Sequence, residues 1–120
     1  DYRKYDWKYL GEKIENDETF FILESYPNYK NSGYSKRISL TDSLDRTRKV
    51  DFYDRKGELL KTLYLEDYEL YKDKIWMANT MRVENVQNKN MTIFKWLNRE
   101  LDTGIDKKDF EKSSLMRLAD

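Results

Sequence analysis

Val50-Asp51-Phe52-Tyr53-Asp54-Arg55-Lys56-Gly57-Glu58-Leu59-Leu60-Lys61-Thr62-Leu63 is the stretch that decides how this chain folds. Asp54-Arg55-Lys56-Gly57 reads as a tight hairpin, because Gly57 supplies the positive φ that a type I turn followed by a bulge requires. Before it, Arg46 to Tyr53 puts Val50 and Phe52 on one side and Asp51 and Tyr53 on the other. After it, Glu58 to Tyr68 sets Leu59, Lys61, Leu63 and Leu65 against Leu60, Thr62, Tyr64 and Glu66. That second segment also fits an amphipathic helix. A tight turn precedes it, however, and strand-like patterning flanks it, so the strand reading holds.

Working outward, polar turn signals recur about every ten residues, the mark of a meander. Asp6 to Ile14 roughly alternates bulky and polar side chains, and Asn16-Asp17 forms a turn. Glu18 to Ser25 carries four consecutive apolar residues, as in a central strand, and Pro27 ends it by removing a donor. Tyr34 to Leu40 places Tyr34, Lys36, Ile38 and Leu40 on one face and Ser35, Arg37 and Ser39 on the other, before a turn over residues 41–45. Residues 70–74 connect to a second long hairpin, Ile75 to Val86 and Asn90 to Leu101, around Gln87-Asn88-Lys89. Asp106 is placed to cap a helical turn over 107–112 with Phe110 as anchor, and Leu115 to Leu118 fits either an edge strand or a helix. The expectation is one mainly β domain over residues 1–120, about seven strands with one short C-terminal helical turn.

Composition narrows the function. With 120 residues, one core is expected. The ten tyrosines and the balance of 23 basic against 23 acidic residues argue for a folded sheet rather than disorder. A net charge of zero argues against nucleic acid as the main partner. No run approaches the ~18 apolar residues of a membrane span. Histidine and cysteine are both absent, so nucleophile triads and imidazole or thiolate metal sites have no ligands, and no glycine-rich phosphate loop occurs. Glu24, Asp51, Glu66 and Glu84 sit within expected strands and are the candidates for a paired-carboxylate hydrolase. Each reads better as a solvent-facing partner of Lys or Arg. Asp42 and Asp45 lack the spacing of a calcium loop and read as a turn. The chain is expected to be no enzyme and to need no cofactor.

What remains is apolar and aromatic. Tyr34, Ile38, Leu40, Val50, Phe52, Leu63, Leu65, Met77, Met81, Phe94 and Trp96 are expected to form one continuous face, a surface suited to an acyl chain or hydrophobic peptide. An ordinary core covered by a helix is the commoner use of such a set. Yet no long amphipathic helix is available to cover it, which leaves a missing segment, a second copy or a ligand.

At this point the residues resemble a known family. Asp6-Trp7-Lys8-Tyr9-Leu10-Gly11-Glu12, ETFFILESYP from Glu18 to Pro27, Gly33 to Ile38, and Trp76 to Asn85 are similar to the outer-membrane lipoprotein-sorting (LolA-like) proteins of bacteria. YDRKGELLKTL, from Tyr53 to Leu63, is the most specific piece, and the resemblance spans nearly the whole chain. It implies part of a strongly curved, unclosed antiparallel barrel whose interior holds lipoprotein acyl chains or a related lipid, with helices as plugs. It further implies a periplasmic or otherwise exported protein that moves lipid toward the outer membrane, with a membrane lipid transporter as partner for some relatives. No catalytic motif comes with it. The chain looks like the C-terminal portion, with further strands expected before Asp1. Half a barrel exposes an apolar face and two sheet edges, which favour self-association or protein partners.

Overall fold

The structure, a computed structural model, describes residues 4–96. Seven strands form one antiparallel sheet in sequence order: β1 (Tyr5–Glu15), β2 (Glu18–Pro27), β3 (Lys36–Asp42), β4 (Thr47–Tyr53), β5 (Leu59–Tyr71), β6 (Ile75–Asn85) and β7 (Met91–Lys95). The sheet is unclosed, with β1 and β7 each paired on one side only. It is far from flat. Sheet layers stack about 10 Å apart, whereas this sheet's smallest extent is 31 Å, so the strands coil strongly around the sheet axis. No α-helix occurs among the described residues.

Local chemistry explains the meander. At the β4–β5 turn the Gly57 N–H donates to the Asp54 carbonyl (3.0 Å) and the Asp54 N–H to the Glu58 carbonyl (2.8 Å). The Asp54 carboxylate accepts the Lys56 and Glu58 amides at 2.9 Å each. Gly57 adopts φ +85°, and the register slips there, so that Tyr53 faces Leu59. Asn16 and Asp17 (φ 52° and 62°) turn β1 into β2, and Lys72 and Asp73 (52° and 55°) turn β5 into β6. Positive φ at both central residues is the geometry whose twist suits the two-residue hairpin between the paired Glu15 and Glu18. Residues 72–74 make a three-residue connection between the paired Tyr71 and Ile75. A further bulge falls between Tyr9 and Gly11, where Gly11 has φ +120°, and another between Leu40 and Thr41. Each bulge bends the sheet locally.

Several boundaries differ from expectation for physical reasons. β2 runs through Pro27, because β3 pairs with it only as far as Ser25, and the missing proline N–H interrupts no ladder. β3 starts at Lys36 because Ser32 Oγ donates to the Tyr34 carbonyl (2.8 Å) and accepts the Tyr34 N–H (3.3 Å), holding that segment as a loop. β5 extends to Tyr71, since Lys72-Asp73 forms the turn without a glycine. β7 covers only Met91–Lys95. The expected strand beyond 96, the helical turn over 107–112 and the tail at 115–118 lie outside the described residues.

Candidate functional site

Directly paired residues of an antiparallel ladder point to the same side, so the register sorts the side chains into rows across the sheet. One row reads Trp7, Ser25, Arg37, Phe52, Lys61, Asn85 from β1 to β6. The next reads Tyr9, Leu23, Ser39, Val50, Leu63, Val83, Thr92 across all seven strands. A third contains Glu12, Phe21 and Thr41, then Leu65, Met81 and Phe94. These rows make the apolar face. The reverse face carries Lys8, Glu24, Ile38, Asp51, Thr62, Glu84 and Met91 in one row.

The expected site residues divide between these faces. Val50, Phe52, Leu63, Leu65, Met81 and Phe94 share the apolar face. Tyr34 joins them from the loop before β3, its ring edge-on to Phe52 at 5.3 Å. Met77 keeps the phase of Met81 along β6 and continues the face toward the β5–β6 turn, and Trp96 follows β7, its N–H donating to the Asn79 carbonyl at 2.8 Å. Ile38 and Leu40 turn to the reverse face. The 42–46 turn pairs Ser39, not Ile38 or Leu40, with Val50, which sets the phase between the two strands. The face is therefore not one run through all eleven expected residues.

Phe21, Leu23 and Val83 also belong to the apolar face, as do two cations. Alternation within each strand was readable for all of them, but the phase between strands depends on turn lengths. Arg37 donates through Nε to Ser25 Oγ (3.1 Å), and its guanidinium carbon lies over the Tyr5 ring at 3.9 Å and the Trp7 ring at 5.8 Å. The Tyr5 hydroxyl stands 3.4 Å from that of Tyr34, and burial together with this contact raises its pKa. Lys61 Nζ lies 5.1 Å from the Phe52 ring centroid, and burial lowers its pKa. None of the apolar side chains in these rows is fully buried. The only buried apolar residues among the described ones, Phe20 and Ala78, are on the reverse face.

The reverse face is organised by charge. Asp42 is 2% exposed, and its carboxylate accepts the Leu44 and Arg46 amides (3.0 Å each), Arg46 Nε (2.8 Å) and Arg48 Nη1 (3.2 Å). Burial opposes its ionisation, but these donors outweigh burial and hold the carboxyl below the usual range. Arg48 also binds Glu18 at 2.8 Å. The four carboxylates singled out for hydrolysis all lie on this side. Asp51 accepts from Thr62 (2.7 Å), Glu66 from Arg82 (3.1 Å), Glu84 bonds Tyr64, and Glu24 faces Lys8. A depression of ≈ 310 Å³ opens here, lined by Glu15, Glu18, Arg48, Lys49 and Glu66 among others. Phe20, Leu40, Tyr64 and Leu65 share its lining with these charges, whereas the apolar face carries fewer charges, which makes that face the better candidate for a hydrophobic ligand.

A family model described as an uncharacterized protein matches residues 1–117. Comparison with curated proteins finds no match. Among solved structures, an outer membrane lipoprotein-sorting protein domain from Vibrio parahaemolyticus is 37% identical, with a TM-score of 0.70 over 93% of this chain and 48% of its own. A DUF1329 family protein from Desulfovibrio piger is 31% identical, with a TM-score of 0.77 over 93% of this chain and 47% of its own. A LolA superfamily protein from Nitrosomonas europaea, 20% identical with a TM-score of 0.68, shares the fold over 82% of this chain and 48% of its own. The chain spans about half the length of these structures. The chain belongs to the family matched over residues 1–117, and it shares its fold with these lipoprotein-sorting-domain, DUF1329 and LolA superfamily structures.

Proposed function

We propose that this chain binds the acyl chains of a lipid or lipoprotein on its apolar face, without catalysing a reaction, as part of moving them through the periplasm toward the outer membrane. The observation that carries this reading is a continuous apolar face, running from Phe21 and Leu23 to Met81 and Phe94, that no other described element covers. Exposed apolar patches of that extent mark interaction sites. The likeness to a lipoprotein-sorting domain supports lipid as the class of ligand. An exported location follows from that role, and a membrane lipid transporter is the partner such a route calls for. The test is uptake of Nile red, a neutral dye, by delipidated protein, with mass spectrometry of copurified lipid. Met81→Glu and Phe52→Asp are expected to abolish uptake while the far-ultraviolet dichroism stays that of the wild type. Absence of uptake by the wild type overturns the reading.

A second reading rests on β1. This 11-residue edge strand leaves Trp7, Tyr9 and Ile14 50%, 56% and 77% exposed, and an open edge of that kind accepts a strand from a partner or from a second copy. A lipid-free species that stays monomeric across a wide concentration range removes it.

A further inference from the structure

We infer that the end of the sheet built from the β2–β3, β4–β5 and β6–β7 connections docks on a bilayer surface that carries anionic phospholipid. This goes beyond the lipid-binding reading and stands on different residues. In a meander, alternate connections fall at the same end of the sheet, so residues 28–35, 54–58 and 86–90 lie together beside the start of β1. Hydrogen bonds join them into one surface. The Asn28 N–H donates to the Lys4 carbonyl (2.8 Å) and the Val86 N–H to the Leu60 carbonyl (2.9 Å). Arg55 Nη1 donates to the Ser32 carbonyl (3.0 Å) and Gln87 Nε2 to the Asp54 carboxylate (2.8 Å). Connections tied to one another in this way present their side chains as one platform.

Charge complementarity selects the partner. This end exposes Lys4, Lys30, Arg55, Lys56 and Lys89 against the exposed Asp6 and Glu58, and the Asp54 carboxylate is engaged by amides of its own turn. The opposite end exposes Asp17, Asp45, Asp67, Glu69 and Asp73 among others, and there the exposed acids outnumber the exposed lysines. A chain of zero net charge is therefore polarised along its strands. An anionic surface attracts one end and repels the other, within the reach that salt allows. Aromatic rings favour a bilayer over other anionic partners. Trp7, Tyr26 and Tyr29 stand exposed at the basic end. Rings with an apolar body and a polar rim settle at the headgroup level, where lysine stems reach the phosphates. Cations and rings are already side by side: Lys4 Nζ lies 5.7 Å from the Tyr29 ring centroid, and Lys36 Nζ 4.8 Å from that of Tyr53. The opposite end also exposes apolar side chains, Leu44, Ile75 and Trp76 among them, but its acids set it against anionic lipid. The apolar face meets the basic end directly, because the row of Trp7 and Phe52 begins there.

The experiment sediments the 120-residue chain with vesicles of equal parts phosphatidylglycerol and phosphatidylcholine, and with vesicles of phosphatidylcholine alone. Partition into the anionic vesicles is expected to be about tenfold the stronger and to fall as salt is raised. Lys30→Gln and Lys56→Gln are each expected to lower it about fivefold, the effect of one cation near such a surface. Lys74→Gln, at the opposite end, is expected to leave it unchanged. Tyr29→Ser alters no charge and is expected to lower it as well. With brominated phosphatidylcholine in the anionic vesicles, quenching of tryptophan emission is expected to survive Trp76→Phe and to be lost in Trp7→Phe. Both side chains are exposed, so neither change threatens the fold. Equal partition into the two kinds of vesicle overturns the inference, as does a loss with Lys74→Gln that matches the loss with Lys30→Gln. Quenching that follows Trp76 overturns the choice of end. Tighter binding to double-stranded DNA than to the anionic vesicles at the same salt overturns the bilayer as partner. Nile red uptake by the same protein separates the two readings: uptake without docking overturns this inference alone, and docking without uptake overturns lipid binding alone.

Discussion

On one side of the sheet, Arg46 and Arg48 close on the buried carboxylate of Asp42; on the other, Arg37 lies on the Tyr5 ring with no carboxylate in its row. Both sides therefore hold cations next to aromatic rings, and on the reverse side Asp42 and Glu18 bind them directly. A charge whose partners are built into the fold contributes to stability. A charge bedded on aromatic rings with a single hydroxyl partner, as Arg37 is, contributes less, and proteins retain such arrangements where function needs them. The contrast assigns folding energy to the reverse side and recognition to the apolar side.

The strongest way to break that contrast is Asp42→Asn. It leaves two guanidinium groups around a neutral amide in a site where the carboxylate is 2% exposed. Removing one partner of a buried ion pair typically costs about 3 kcal/mol or more, and urea unfolding is expected to show a loss of that order. Arg37→Gln is expected to cost about 1 kcal/mol, as a half-buried stacking contact with one neutral hydrogen bond does. Equal losses for the two would end the division of labour. The same residue sets an acid limit. Its carboxyl pKa is lower folded than unfolded, so its stabilisation is complete above the unfolded value, near ~4, and is lost as pH falls through the folded value. The wild type is expected to lose stability steeply below about pH 4, and Asp42→Asn to lose less over the same range.

The Asp42 cluster also shows what the amino-acid order did and did not reveal. Strand positions were legible because alternation and turn residues are local, and the Asp54–Gly57 hairpin carries its own hydrogen bonds. Asp42 read only as part of a turn. Its role depends on Arg46 and Arg48 folding back across that turn, a geometry that alternation does not encode. The assignment of Ile38 and Leu40 to the face of Val50 went wrong at the same place. A one-residue change in turn length moves every side chain of a strand to the other face, and the bulge between Leu40 and Thr41 is the step that composition hides. Lys72-Asp73 was legible as a connection, but not as a tight turn, because it adopts positive φ without glycine or asparagine.

A smaller effect sharpens the contrast within a single strand. Thr62 and Leu63 are adjacent on β5 and face opposite ways. Thr62 is 4% exposed and donates to Asp51 at 2.7 Å. Thr62→Val keeps the shape and removes the donor, and leaving the carboxylate without it is expected to cost about 1.5 kcal/mol. Leu63→Asn is expected to cost less in urea unfolding, because its side chain is only half-buried, and yet to weaken Nile red uptake, which Thr62→Val leaves intact. A variant pair in which the larger stability loss also brings the larger binding loss would mean that one face does both jobs.

The smallest expected change is a gain. Lys61 stands beside Phe52 and Leu63, and burial holds its pKa below the ordinary lysine value. A group whose pKa is depressed on folding stabilises above its unfolded pKa and loses that contribution as pH falls through the folded value. At neutral pH the folded chain therefore carries this ammonium at a cost, reduced by its exposed half. Lys61→Met retains a flexible stem of similar length and removes the charge. It is expected to raise unfolding stability by about 0.5 kcal/mol at pH 7, with the gain shrinking as pH approaches ~10.4. Set beside Asp42→Asn, which removes a charge from the other side, the sign itself is the discriminating result. If Lys61→Met destabilises, Lys61 is part of the framework that holds the sheet, and the apolar face has a charge built for folding after all.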